Sequence, residues 1–209
     1  MQLIDYTVKD FAQLLGSDAP APGGGSTAAL EGVLGASLLR MVGSLTSGRK
    51  KYAEHADFIE GLIAEAGKVQ ADFLAVIDED TLAFNQVSAV FAMPKDTEQE
   101  KSARKMAMQE GLKACTKTPY KMMQLCQRAI DLATDAIGKT NTNAASDFGV
   151  AALSLKAAVQ GAWLNILINI GGIDDAAFVE EYRAGGEAIL AKVLPAADQI
   201  YETVRQSLQ

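Results

Sequence analysis

Apolar residues recur along this chain every three to four positions, the period of an α-helix with one buried face. Thr7 followed by Asp10 reads as a capping box that opens a short helix to Leu15. A turn-rich stretch from Gly16 to Gly25 carries Pro20, Pro22 and three consecutive glycines. The periodicity then predicts helices over about Ser26–Thr46, Ala53–Phe91, Thr97–Ile137 and Ala144–Asn169. A last helix is capped by Asp174 or Asp175. Pro119 and Pro195 are expected to break or kink the helices that contain them. No segment alternates with period two between turns, so no β-sheet is expected. Long Ala-rich helices with short loops predict an all-α, up-and-down antiparallel bundle, one domain over residues 1–209.

The helix after Gly25 carries Gly32, Gly35, Ala36 and Gly43 near one face. Each interior glycine costs up to about 1 kcal/mol against alanine. Such a face implies close helix contact, or close approach of a ligand to backbone.

Composition narrows the partners. The 209 residues are 49% hydrophobic and 22% charged, with a formal net charge of −7. An acidic surface repels phosphate backbones, so no nucleic-acid partner is expected. Met1–Asp10 carries charge early and lacks an apolar signal core. Glu31 and Arg40, then Lys156 and Gln160, interrupt the most apolar stretches, so no membrane span or membrane partner is expected. Cys115 and Cys126 share one predicted helix, roughly 16 Å apart along its axis. That is too far for a disulfide and suits reduced core thiols in the cytoplasm. The single histidine, His55, and two separated cysteines form no metal cluster.

Three segments carry candidate chemistry. Pro22-Gly23-Gly24-Gly25-Ser26 precedes a helix, where free N–H groups attract anions; it also reads as a tight turn. Asp80 falls within the stripe Phe73, Ile77, Phe84, Val87 and Phe91, about 20° from Phe73 and about 40° from Phe84 around the axis. A carboxylate there is either paired structurally or part of a site. Asn141, Asn143, Ser146 and Asp147 open a helix on which Asp147, Ser154 and Asn165 fall nearly in register, with Asn169 beside them. That polar line, interrupted by small residues, could wall a slot, with Trp163 on the opposite, core face.

At these segments the sequence resembles the family of formiminotetrahydrofolate cyclodeaminases and bacterial methenyltetrahydrofolate cyclohydrolases. The likeness runs from about Asp5 to Ile173. It lies in the PGGGS element with its small-residue helix through Met41, in Asp80–Phe91 with the Met93-Pro94-Lys95-Asp96-Thr97 turn, and in Asn143–Asn169. Thr142 stands where the family often has proline or another residue.

The resemblance implies a bundle that forms a homodimer, and a tetrahydrofolate derivative as substrate with no separate cofactor. It implies hydrolysis of 5,10-methenyltetrahydrofolate to 10-formyltetrahydrofolate. The alternatives are cyclodeamination of 5-formiminotetrahydrofolate with release of ammonia, or a non-catalytic scaffold or folate-binding protein. A carboxylate beside the cationic methenyl carbon would stabilise it and take a proton from water, and Asp147 and Asp80 are the candidates. Asn141, Asn143 and Asp147 match a pterin edge. Lys50, Lys51, Lys95 or Lys139 suits the anionic tail. The backbone of Gly23–Gly25 offers a surface for the pterin or the tail carboxylate. All three segments are expected to converge on one cleft.

Overall fold

The computed structural model describes residues 2–209, which contain no β-strand. Six α-helices follow one another: α1 (Val8–Leu15), α2 (Gly24–Thr46), α3 (Ala56–Phe91), α4 (Glu98–Ala136), α5 (Ala145–Ile170) and α6 (Ala176–Ser207). Consecutive helices from α2 onward run antiparallel. Four of them close a ring in the order α2, α3, α4, α5, and α6 packs against α4 and α5. The expected bundle is the observed one.

Thr7 and Asp175 cap where the sequence places them, and Thr97, read there as the first residue of its helix, is the cap of α4. Thr7 accepts from the Asp10 amide at 3.1 Å. Thr97 and Glu100 form a reciprocal capping box at α4, and Asp175 accepts from Phe178 at α6. The helix expected from Ala53 begins at Ala56, because Lys50–His55 forms a 3₁₀ turn first.

Neither internal proline ends its helix. A proline at position i removes the amide that would serve the carbonyl at i−4. For Pro119 that carbonyl belongs to Cys115, and the Asn169 side chain of α5 donates to it at 2.9 Å. For Pro195 it belongs to Ala191, on an exposed stretch of α6 where water can serve it.

The glycine face of α2 is a close-packing face. A Cβ on Gly32 would overlap the Phe73 ring of α3, and one on Gly35 would meet Leu155 of α5. Both α2 and α5 are long and apolar enough to cross a membrane by length and composition, with mean hydropathies of 1.3 and 1.4. Glu31, Arg40 and Lys156 do not interrupt them as expected. Each helix buries a face inside the bundle, through Ala29, Ala36 and Leu39 of α2 and Ala151, Leu155 and Ile166 of α5.

Candidate active site

The end of the bundle that holds the α2 N-terminus carries a cleft of about 260 Å³. Its lining includes Gly23–Gly25, Asp80 and Thr81 of α3, Cys115 of α4, and Asn165 and Asn169 of α5. Each of the four ring helices thus contributes.

Local structure brings Asp80 there. Thr27 is the first residue of α2 to donate back into the helix, to the Gly23 carbonyl at 3.0 Å. The amides of Gly24, Gly25 and Ser26 therefore point out of the helix end. Asp80 rises from α3 directly against that end. Its Oδ2 accepts from the wholly buried Ser26 hydroxyl at 3.1 Å. Gly25 makes the approach possible, since a Cβ there would overlap the carboxylate. The anion at this helix N-terminus is the chain's own aspartate.

Asp80 forms no ion pair among the described residues. Burial pushes its pKa above the usual carboxylate range, and the Ser26 hydroxyl and amide pull it partly back. Cys115 shares the cleft; burial and the neighbouring Asp80 charge push its thiol up to about 11, which keeps it protonated. Asn165 donates to the Gly161 carbonyl, and Asn169 donates to both Cys115 and Asn165 carbonyls. These bonds leave the amide oxygens of both asparagines free to meet a ligand in the cleft.

The second half of the expected site lies elsewhere. Asn141, Asn143, Ser146 and Asp147 sit at the α2 C-terminal end of the bundle. Asp147 and Asn165 are eighteen residues apart on α5, roughly 27 Å along its axis. Within one chain the three segments do not converge, because α2 and α5 run antiparallel along their full lengths. Asn141 is buried and committed to structure. Its backbone amide donates to Thr46 Oγ1 at 2.8 Å, its Nδ2 to the Leu45 carbonyl, and its Oδ1 accepts from the Asn143 amide. Asn143 and Ser146 are exposed, and Asp147 is half-buried with no cation paired to it among the described residues. The polar line therefore divides: Asn165 and Asn169 line the cleft, Asp147 and Ser154 do not.

The lysines divide too. Lys50, Lys51 and Lys139 lie at the Asn141 end, where Lys139 Nζ sits 4.3 Å from the centre of the Phe58 ring and Lys51 lies over Tyr52. Lys95 lies beyond the Asp80 cleft, near the α3–α4 turn. It lines a groove of about 350 Å³ with Lys101, Arg104 and Lys105. Glu98 and Asp174 pair with two of these cations, at 2.7 Å each.

Thr81, Cys115, Phe84 and Ile168 line the cleft but escaped sequence reading. Thr81 is offset by about 100° from Asp80 on the helix, so the apolar stripe hides it. Cys115 reads as a core thiol; its only signal is a proline four positions later. Phe84 and Phe91 read as core but are 40% and 65% exposed, because α3 extends past the α2 N-terminus there. Phe84 forms part of the cleft lining.

Fold and cleft together define a cyclodeaminase-type bundle. The formiminotetrahydrofolate cyclodeaminase of Thermotoga maritima has the same fold over the whole of both chains, with a TM-score of 0.89 at 21% identity. The chain belongs to the formiminotransferase-cyclodeaminase family, which it matches over residues 7–188. It is 39% identical over 202 residues to the methenyltetrahydrofolate cyclohydrolase of Methylorubrum extorquens, covering 97% of each chain. It is 33% identical over 181 residues to the formimidoyltransferase-cyclodeaminase of Rattus norvegicus, covering 87% of this chain but 34% of that longer one.

Proposed function

We propose that the chain hydrolyses 5,10-methenyltetrahydrofolate to 10-formyltetrahydrofolate, with Asp80 as the acid–base group. The observation that carries this is Asp80 itself: a recessed carboxylate with no cationic partner, facing a cleft of small-molecule size. The cationic methenyl carbon supplies the missing partner. Water attacks the carbon between N5 and N10, and its proton passes to Asp80. The tetrahedral carbon then loses its hydroxyl proton as the bond to N5 breaks, and Asp80 returns a proton to N5. One proton is released overall, and the steps need water and a carboxylate but no further cofactor. The anionic tail extends toward Lys95, Arg104 and their neighbours.

A relative of matching length carries the cyclohydrolase name, which favours ring opening. The relatives named for cyclodeamination keep a second reading in place: closure of 5-formiminotetrahydrofolate with loss of ammonia. Following the near-ultraviolet absorbance of the methenyl compound separates the two. A cyclohydrolase removes the band when given the methenyl substrate. A cyclodeaminase creates it from the formimino substrate and releases ammonia. No change with either substrate refutes both.

The working unit in this reading is a homodimer. Leu34, Met41 and Leu45 of α2 and Val150, Leu153, Leu164 and Ile168 of α5 are all exposed. By helical phase they fall on one outer face, with Glu31 and Asp147 at its margins. Two adjacent helices of this length present a face on the order of 600 Å². That approaches the ~800 Å² each partner gives to a stable interface. A two-fold axis across the middle of the face would set the partner's Asp147 end beside the Asp80 cleft, giving each cleft a second carboxylate.

A further inference from the structure

One polar side-chain atom of the cleft wall is both buried and unpartnered. Thr81 Oγ1 is sealed from solvent and has no hydrogen-bond partner, the single buried side-chain polar atom in that state among the described residues. Most threonines within the helices are satisfied locally. Thr27, Thr46, Thr116, Thr134 and Thr203 all donate to the carbonyl four residues back. Thr81 does not. Buried polar groups are almost always satisfied, so an orphan beside a cavity points to something that fills the cavity.

We propose that Thr81 is a specificity-determining residue whose hydroxyl bonds a ring heteroatom of the flat bicyclic substrate while Asp80 faces its one-carbon bridge. The proposal rests on the folate reading of the cleft and adds to it the group that orients the ring. Asp80 and Thr81 are consecutive on α3 and line the same cavity. They project about 100° apart, so they reach different parts of one ligand. A hydroxyl both donates and accepts, so it matches either a ring nitrogen or a carbonyl oxygen. Turning about χ1 toward the ligand breaks no existing bond, because Oγ1 makes none.

The test compares Thr81→Val, which keeps shape and removes the hydroxyl, with Thr81→Ser, which keeps the hydroxyl. Steady-state kinetics use the methenyl substrate, and melting is followed with and without tetrahydrofolate as the binding probe. Thr81→Val should raise KM about tenfold with a smaller change in kcat, the scale of one neutral hydrogen bond. It should lose most of the tetrahydrofolate-induced melting shift, and ligand-free it should melt at or above wild type. Thr81→Ser should restore KM and the shift. Wild-type KM and shift in Thr81→Val would overturn the proposal. So would a ligand-free protein that melts lower in Thr81→Val and recovers in Thr81→Ser, since the hydroxyl would then serve the fold. If wild type binds tetrahydrofolate but turns over neither folate substrate, the proposed reaction fails and the melting comparison still decides Thr81. If wild type neither binds nor reacts, both are overturned.

Discussion

Gly25 lacks a Cβ at the very point where the carboxylate of Asp80 meets the start of α2. The glycines that open α2 look like a cradle for an external anion. Instead one of them admits an internal carboxylate, held by Ser26 and aimed into a cleft. Asp80 thus gains a fixed position without gaining a counter-charge, the condition in which a carboxylate is most useful to a cationic substrate.

Removing that charge is the first test. Asp80→Asn keeps the size of the side chain and its bond to Ser26 while abolishing proton transfer. Turnover of the methenyl substrate should fall at least about a hundredfold, the usual contribution of a positioned acid or base. A variant with wild-type kcat would remove Asp80 from the chemistry.

The same residue predicts how stability follows pH. Burial raises the folded-state pKa of Asp80 above its unfolded value. In the window between the two, the folded state binds more protons than the unfolded state, so stability falls as pH rises. The loss begins in the ordinary carboxylate range and is complete above the raised pKa. Asp80→Asn should therefore melt higher than wild type at neutral pH, with the difference shrinking in acid. Melting curves from pH 3 to 8 read this directly; equal curves would mean the carboxylate is not destabilised by burial.

The bond from Asn169 to the Cys115 carbonyl predicts a coupled pair. Asn169→Leu should cost about 1–3 kcal/mol, because it strands a carbonyl that Pro119 has already deprived of its amide. Pro119→Ala restores that amide. In its background the Asn169→Leu cost in urea denaturation should shrink. Equal costs in both backgrounds would show that the two residues act independently.

The outer face of α2 and α5 predicts assembly. Light scattering should give about twice the 22.1 kDa chain mass. The double substitution Leu34→Glu with Leu164→Glu should yield a folded monomer by circular dichroism. If the partner's Asp147 completes the cleft, that monomer loses activity, and Asp147→Asn in the dimer does too. An active monomer would confine the site to one chain.

The groove beyond the cleft predicts a salt-sensitive KM. Replacing Lys95 and Arg104 by alanine should raise KM several-fold at low ionic strength with little change in kcat, and the difference should narrow as salt screens the tail. An unchanged KM would place the tail elsewhere.

Sequence alone was enough for the helices, because the 3.6-residue period and the Thr7 and Asp175 caps are local signals. It also marked Asp80, since a carboxylate in an apolar stripe is visible from spacing. It could not say where Pro119 would lead. The helix runs on, and Asn169, fifty residues away, takes the freed carbonyl; no local pattern records that bond. Nor could it separate Asp147 from Asn165. Both lie in register on one helix face, but register fixes direction around the axis and says nothing of which end meets a cleft. The antiparallel pairing of α2 with α5 decided that, placing Asn165 beside Gly24 and leaving Asp147 at the far end. Thr81 is invisible in the sequence because being unsatisfied is a property of surroundings, and surroundings exist only once the chain has folded.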